Sequence, residues 1–180
     1  ATKDLKVGNC YNTVSSKAGG NNPVGEVTVV DCAKTHTYEV IAQTTFPDDV
    51  DIIIGGGGQD SGQTVIQEDL HAIGAKLKKN AEEGMPMLVI CGLYQLFGKE
   101  FRTHEGETLK GINIFDAHTV GGNERLIGNI VEDSQEFGTI VGFENHSGLT
   151  YLGAGCEPLA TVTKGVGNNS TDHHEGARVH

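Results

Sequence analysis

The chain of 180 residues has little of several features that would point to particular protein classes. It has no tryptophan, and aromatic residues make up only 6% of it. Basic residues are also few, with 13 Lys and Arg against 24 Asp and Glu and a formal charge of −11. Because a face that binds nucleic acid must be basic, no nucleic-acid partner is expected. The longest apolar run, Met87–Cys91, is far shorter than the roughly 20 residues that cross a bilayer, so no membrane span is expected.

Metal and cofactor sites have little support. The four cysteines include no C-x-x-C pair, and the eight histidines are scattered. The one cluster is His173 and His174 beside Asp172, and neighbouring side chains of a strand point to opposite faces. The glycine run Gly55–Gly58 lacks both the Gly-Lys-Ser/Thr and the G-x-G-x-x-G pattern of nucleotide loops. We therefore expect no metal and no cofactor.

Two unlike pieces are visible, a small β-rich segment at residues 1–48 and a larger unit at 49–180. In the first, Gly25–Asp31 and Thr37–Gln43 are rich in Val, Thr, Tyr and Ile and predict strands, with a third short strand at Tyr11–Val14. So small a sheet has a meagre core. A disulfide between Cys10 and Cys32 would stabilise it, and two free buried thiols are the alternative.

The segment VGNCYNT followed by VTVVDCAKTHTYEV resembles a septum-formation-type repeat of cell-surface proteins. The resemblance covers about 45 residues, and Asn9 stands where that repeat has aspartate. His36 and Glu39 of this segment could form a site, or they could be polar groups that hold the turn after Cys32.

The second piece alternates strands and helices, which predicts an α/β fold. Val50–Ile54 and Met87–Ile90 are short apolar runs, typical of buried parallel strands. Thr64–Asn80 has apolar residues at helical spacing, and Cys91–Phe97 opens a second helix. After residue 102 the pattern predicts four shorter strands, at Arg125–Glu132, Thr139–Glu144, Leu149–Leu152 and Ala160–Lys164.

Cys91 is the candidate nucleophile. It follows a predicted strand and precedes Gly92 and a helix, so a tight turn would lift its thiol above the sheet, and a helix N-terminus favours the thiolate. A buried structural cysteine is the alternative reading. The run Gly55–Gly58 follows the neighbouring strand, where backbone N–H groups could point at an oxyanion. A flexible turn is the simpler reading of that run.

Taken together, DIIIGGGGQD and MLVICGLYQLFG resemble the class I, cobyric-acid-synthase-like glutamine amidotransferases. Within them, the similarity points to the glutaminase subunits of lipid II isoglutaminyl synthase. Further segments agree in order over residues 49–180: LKGINIFDAHT, NERLIGNIV, GFENHSGLTYLG, PLATVTKGVGNN and EGARVH. The resemblance implies a three-layer sandwich with a mostly parallel sheet, preceded here by the small β-rich segment.

The resemblance also implies a reaction and a partner. Cys91 would attack the side-chain amide of glutamine and form a glutamyl thioester. The ammonia would pass to a Mur-ligase-like, ATP-dependent synthetase that amidates D-glutamate of the peptidoglycan stem peptide. Such a heterodimer would be cytoplasmic. A Cys10–Cys32 disulfide would instead favour a non-catalytic cell-surface or interaction module with a degenerate amidotransferase domain.

Site residues are carried over by the same resemblance. The oxyanion hole would be formed by Gly56, Gly57 and Gly92. The substrate contacts would be Arg125, which can grip a carboxylate with two hydrogen bonds, together with Gln95 and His146. An ion pair of Arg125 with Glu124, Glu132 or another acid is the alternative, as is a structural histidine held by backbone groups for His146.

This chain departs from the family in three places. Leu93 and Leu149 stand where the family has glycine and arginine, and Leu93 is expected to crowd the turn at the nucleophile. The family's catalytic histidine lies in a Gly-Ser-Tyr-x-His-Gly strand after the segment matched by EGARVH, at which this chain ends. The domain is therefore expected to be truncated and the isolated chain to be a slow glutaminase. Which histidine would serve as base stays open among His146, His173, His174 and His180.

Overall fold

The computed structural model describes residues 6–13, 27–35, 38–39, 50–58 and 60–179. Three sheets and two helices are present within these ranges. Neither helix in the described ranges combines the length and the apolar character that crossing a membrane requires.

The N-terminal sheet has three short antiparallel strands. Strand β1 (Cys10–Thr13) lies between β2 (Val27–Val30) and β3 (Tyr38–Glu39). Cys10 is fully buried and is bonded to Cys32, with 5.2 Å between their Cα atoms. The three short strands lie in or next to the segments expected from the sequence, and Cys10 and Cys32 are paired as the disulfide reading expected. Asp31, predicted as the last residue of its strand, is described and lies just after β2. His36 and the remaining residues of the predicted strands lie outside the described residues.

A parallel pair of strands carries the residues that flank the candidate nucleophile. Strand β4 (Ile53–Gly55) pairs with β5 (Met87–Val89), with Ile54 opposite Leu88. Helix α1 (Asp60–Glu82) connects them and contains the predicted helix, with four more residues at its start and two at its end. The core is one cluster of buried side chains, two from α1 and four from residues 96–109, namely Leu70, Leu77, Leu96, Phe97, Phe101 and Leu109.

The expectation that both parallel strands are buried is wrong for one of their faces. Ile53, Met87 and Val89 pack against the core cluster. The alternate residues point the other way, and Ile54 and Leu88 are 67% and 51% exposed. Within the described chain, α1 and the core cluster cover only one face of these two strands. The continuous apolar runs therefore did not indicate burial on both faces.

The second half of the chain is a mixed six-stranded sheet. Its strands are β6 (Glu100–Arg102), β7 (Thr108–Lys110), β8 (Ala117–Ser134), β9 (Gly138–Leu152), β10 (Ala160–Lys164) and β11 (His174–Glu175). The order is β11-β10-β8-β6-β7, with β9 paired to β8. Strands β6 and β8 are parallel, and the other pairs are antiparallel.

The four shorter strands predicted after residue 102 are partly wrong. Ala160–Lys164 is confirmed as β10, but Thr139–Glu144 and Leu149–Leu152 belong to one continuous strand, β9. Asn145, His146 and Gly148 stay in the ladder, where His146 faces Leu126 and Gly148 faces Gly121. The sequence predicted a break between two strands at residues 145–148. The irregularity is found in β8 instead, where the pairing register shifts between Gly121 and Leu126.

Two asparagines of the PLATVTKGVGNN segment fix the loop that follows β10. Asn169 is fully buried and donates to the carbonyl of Thr150 at 2.8 Å. Asn168 donates to the carbonyl of Gly176 and accepts from the Tyr94 hydroxyl at 3.3 Å. Tyr94 lies in the helix that follows Cys91, so this loop supports the helix next to the candidate nucleophile. Burial raises the pKa of Tyr94, so the phenol keeps its proton for that bond.

Candidate active site

Cys91 lies in a tight turn between β5 and helix α2 (Gly92–Phe97). Its backbone has φ 53° and ψ −115°, which an L-residue rarely adopts. The turn is held on both sides, because Ile90 N donates to Gly55 O at 2.9 Å and Leu93 N donates to Ile90 O at 3.2 Å. A strained residue at a strand-to-helix turn is how α/β enzymes expose a nucleophile, and the turn expected at Cys91 is confirmed.

The glycine run after β4 passes directly beside the cysteine. A Cβ on Gly57 would lie 2.8 Å from Cys91 Cβ and 3.4 Å from its Sγ. Only glycine can bring backbone this close to the thiol. Gly92 is equally constrained, since a Cβ there would lie 2.9 Å from the carbonyl oxygen of Gly58. The glycine loop (Gly55–Gly58) and the turn at Cys91 are therefore packed backbone against backbone.

These elements enclose a cavity of about 630 Å³, a size suited to a small molecule. Its wall combines the glycine loop, the first turn of α1, the turn at Cys91, and the facing segments of β8 and β9. The lining residues are Gly57, Gly58, Gln63, Cys91, Gln95, Arg125, Asn145, His146, Ser147 and Gly148.

Most residues that the sequence proposed for the site meet in this cavity. Cys91 and Gly57 line it together with the three proposed substrate contacts, which are Gln95, Arg125 and His146. Gly56 and Gly92 are not part of its lining. Gly56 is exposed on the loop, and Gly92 is buried just beneath the turn.

Among the lining residues, Arg125 carries a permanent positive charge. Its Nε donates to Asn145 Oδ1 at 2.7 Å across the β8–β9 ladder. Among the described residues it forms no ion pair with Glu124 or Glu132, which the sequence had left as the alternative. The remaining guanidinium N–H groups can therefore bind a carboxylate in the cavity.

His146 fits both readings that the sequence left open. It lines the cavity, and its Nδ1 lies 2.8 Å from the carbonyl oxygen of Gly148. A carbonyl can only accept, so Nδ1 carries the proton and Nε2 of the neutral ring presents a lone pair. Neither of the histidines His173 and His174 lines the cavity, and His174 lies 3.9 Å from Asp172. His180 lies outside the described residues.

Five lining residues were not among the predicted site residues, namely Gly58, Gln63, Asn145, Ser147 and Gly148, although Gly58 belongs to the glycine run that the sequence singled out. Gln63 had no visible signal, because the apolar pattern placed the helix start one residue later. The segment GFENHSG contains Ser147 and Gly148, so the family resemblance could have included them. In the part of the chain that the structure describes, no three His, Cys, Asp or Glu side chains are grouped in a way that could hold a metal ion.

Comparisons with a family profile and with individual proteins point to the same family. A profile of the CobB/CobQ-like glutamine amidotransferase domain matches residues 29–180. The GatD subunit of lipid II isoglutaminyl synthase (glutamine-hydrolyzing) from Staphylococcus aureus is 47% identical over 129 residues, covering 72% of this chain and 52% of that protein. The Streptococcus pneumoniae GatD subunit is 30% identical over 179 residues, covering 96% of this chain and 68% of that protein. This chain thus spans about half the length of the Staphylococcus relative.

A solved structure supports the fold. The crystal structure of a glutamine amidotransferase superposes with a TM-score of 0.51 at 20% identity, covering 63% of this chain and 61% of that one. The α/β amidotransferase-like fold expected from the sequence is therefore confirmed. The match to the family profile covers most of the chain, and the chain belongs to the CobB/CobQ-like glutamine amidotransferase domain family.

Proposed function

We propose that this chain is the glutaminase part of an enzyme that uses glutamine as its ammonia source. The observation that carries the proposal is the cavity in which Cys91, on its strained turn, meets the glycine loop and Arg125. The Cys91 sulfur attacks the side-chain amide carbon of glutamine, and the amide nitrogen leaves as ammonia. Water then cleaves the glutamyl thioester, which yields glutamate and the free thiol.

The surrounding groups have distinct roles in this proposal. Arg125 binds the α-carboxylate of glutamine. His146 Nε2 and Gln95 bind the polar groups on the α-carbon of glutamine. The oxyanion forms at Cys91, where the backbone N–H groups of Gly57 and Gly92 are the donors. Gly56 lies one residue further from the thiol along the same loop, and its role is to shape that loop rather than to donate to the oxyanion.

The partner follows from the relatives rather than from the cavity. Both GatD relatives are named as subunits of lipid II isoglutaminyl synthase. By analogy, the ammonia made here passes to a Mur-ligase-like, ATP-dependent synthetase in a cytoplasmic heterodimer, which amidates the peptidoglycan stem peptide. The fold itself carries no information on the acceptor.

The test is ammonia release from glutamine by the chain combined with its synthetase partner. Cys91→Ala is expected to reduce release to background, whereas Cys156→Ala, a change at the other free cysteine, keeps it. Equal release from the wild type and Cys91→Ala would exclude Cys91 as the nucleophile.

One observation bears on whether the chain works in the cytoplasm or in an oxidising compartment. The Cys10–Cys32 disulfide is a bond that persists in oxidising compartments. Thiol titration of protein from its native compartment, denatured without reductant, separates the two. Four reactive thiols favour a cytoplasmic place for the chain, and two favour an oxidising compartment.

A further inference from the structure

Gln63 is a buried amide in the wall of the cavity. It lies in the first turn of α1 and is only 2% exposed. Its Nε2 donates to Oε1 of Gln95 at 2.7 Å, a bond between two buried side chains from different helices. The same nitrogen packs against the turn at Cys91, since a Cβ on Gly92 would lie 2.7 Å from it.

The bond fixes which end of the Gln95 amide is used. Because Gln95 Oε1 accepts from Gln63, Gln95 Nε2 points to the other side, where it packs against Gly148 of the cavity wall. An amide nitrogen carries two hydrogens and accepts nothing, so Gln95 can only donate at that end. A donor beside Arg125 and His146 suits an oxygen atom of the glutamine carboxylate.

Gln63 also places in the interior one polar atom that is unpaired within the described chain. Its Oε1 is buried and has no hydrogen-bond partner among the described residues. A buried carbonyl oxygen left without a donor usually destabilises a fold, so the favourable contact of this amide is the bond from its Nε2 to Gln95. The arrangement is thus explained by what the amide does for Gln95 rather than by what it contributes to packing.

We propose that Gln63 is a positioning residue for glutamine binding, which holds the Gln95 amide with its N–H groups toward the substrate. This inference rests on the proposed function, because it takes glutamine as the ligand. It predicts that Gln63 affects recognition of a glutamine-shaped molecule and leaves the intrinsic reactivity of the Cys91 thiol unchanged.

The experiment compares two alkylating agents on the full chain by mass spectrometry of the Cys91 peptide. The diazoketone 6-diazo-5-oxo-L-norleucine is shaped like glutamine and must bind the cavity, whereas iodoacetamide only reports the thiol. Gln63→Met is expected to slow diazoketone labelling by about tenfold, the value of one hydrogen bond, with iodoacetamide labelling changed less than about twofold. Gln67→Met, one turn further along α1 and outside the cavity lining, is the matched control and should change neither rate.

Gln63→Glu provides a second readout, which does not depend on whether the fold tolerates methionine at position 63. The carboxylate that this substitution introduces cannot donate to Gln95 when it is ionised, but it can when it is protonated. The ratio of diazoketone to iodoacetamide labelling should therefore be low at about pH 8 and recover toward the wild-type ratio at about pH 5. The wild-type ratio, measured at each pH, removes the pH dependence of the reagents themselves.

The outcomes are separable. If the diazoketone fails to label wild-type Cys91 faster than Cys156, the proposed function is wrong and this inference fails with it. If the wild type is labelled selectively and both Gln63 variants match it, only the inference is overturned. A parallel loss of both labelling rates would also overturn it, since Gln63 would then shape the turn at Cys91 itself.

Discussion

At the scale of single residues, Gly92 sets the distance between the turn at Cys91 and the glycine loop. A Cβ at this position would lie 2.7 Å from Gln63 Nε2, 2.9 Å from Gly58 O and 3.1 Å from Gly58 N. Two of these atoms belong to backbone and cannot move aside as a side chain would. The approach of the two loops therefore depends on the missing side chain.

Gly92→Ala is expected to destabilise the fold by about 1–3 kcal/mol and to slow iodoacetamide labelling of Cys91 through displacement of the turn. The measurement is chemical denaturation alongside mass spectrometry of the Cys91 peptide. Gly128→Ala is the control, because a Cβ there meets only Glu144 Oε1 at 3.8 Å. Equal stability and labelling in the two variants would contradict the close approach.

Leu93 was expected to crowd the turn, and its contacts give a different result. The side chain packs over Gly55 of β4 and joins the partly buried residues around the core. A Cβ on Gly55 would collide with Leu93 Cδ2. The bulk of Leu93 is therefore accommodated by a glycine on the neighbouring strand, and the turn at Cys91 keeps its conformation.

This pairing predicts strong coupling in a double-mutant cycle. Gly55→Ala alone should destabilise the chain by about 1–3 kcal/mol, and less so when Leu93 is also alanine. The coupling is expected to be about 1 kcal/mol or more by denaturant unfolding. Additive effects of the two substitutions would show that the residues do not share this space.

Cys91 and Gln63 show what sequence could and could not give at this scale. A cysteine between an apolar run and Gly92 is a local pattern, so the turn was predictable from adjacent residues. Gln63 is separated from Gln95 by 32 positions, and their contact depends on how α1 packs on α2. Nothing in the local sequence encodes that contact.

At the scale of elements, three carboxylates from neighbouring strands lie close together in the second half of the chain. Glu132 on β8 and Glu144 on β9 are buried, and Glu144 accepts from the backbone N–H groups of Val166 and Gly167. Glu175 on β11 is half-buried, near enough for the charges of both to act on it. Burial, and then the charges of Glu132 and Glu144, raise the pKa of Glu175 to about 7.

This raised pKa predicts a pH dependence of stability. The free side chain has a pKa of 4.5, so between that value and about 7 the folded state holds the proton more tightly than the unfolded state does. The free energy of unfolding should therefore fall as pH rises through this window and level off above it. Glu175→Gln stays neutral, so it should be more stable than the wild type by up to about 3 kcal/mol at pH 8 and by little at pH 4.

Denaturant unfolding at several pH values measures this difference. Glu105→Gln, a change at an exposed loop position, is the control and should follow the wild type throughout. A wild type and Glu175→Gln with parallel pH profiles would mean that Glu175 ionises normally in the folded chain.

The long β8–β9 hairpin shows where element prediction fails. Its two strands have 18 and 15 residues, well beyond the usual strand length. Gly142 and Gly148 interrupt the apolar alternation, so the sequence reads as separate short strands. The ladder continues through them because cross-strand pairing, which local sequence does not show, supplies their hydrogen bonds.

At the scale of the whole molecule, the division into residues 1–48 and 49–180 stays a prediction. The family profile begins at residue 29, and the Streptococcus relative aligns over 96% of the chain. The strand-and-helix alternation after residue 50 identified the fold class, because its strands and long helix are each encoded locally. The open face of β4 and β5 was not predictable, since burial depends on what packs there.

Reduction of the N-terminal disulfide should affect the three-stranded sheet specifically. The bond closes a separation of 22 residues, so its loss is expected to destabilise the sheet by about 3 kcal/mol. Hydrogen exchange of the β1 amides with and without reductant measures this, with the β8 amides as the internal control. Unchanged protection of β1 after reduction would mean that the bond is dispensable.

The claim on which the rest depends is that the cavity presents Cys91 to glutamine. The most direct measurement is labelling of the chain by 6-diazo-5-oxo-L-norleucine, mapped by mass spectrometry, with and without excess L-glutamine. Cys156 is the internal reference, because it is the other free cysteine and its pKa is raised, first of all by burial. We expect the label on Cys91 alone, and protection by glutamine of about tenfold or more once glutamine is about tenfold above its dissociation constant. Equal labelling of the two cysteines, or no protection by saturating glutamine, would contradict a glutamine site at Cys91.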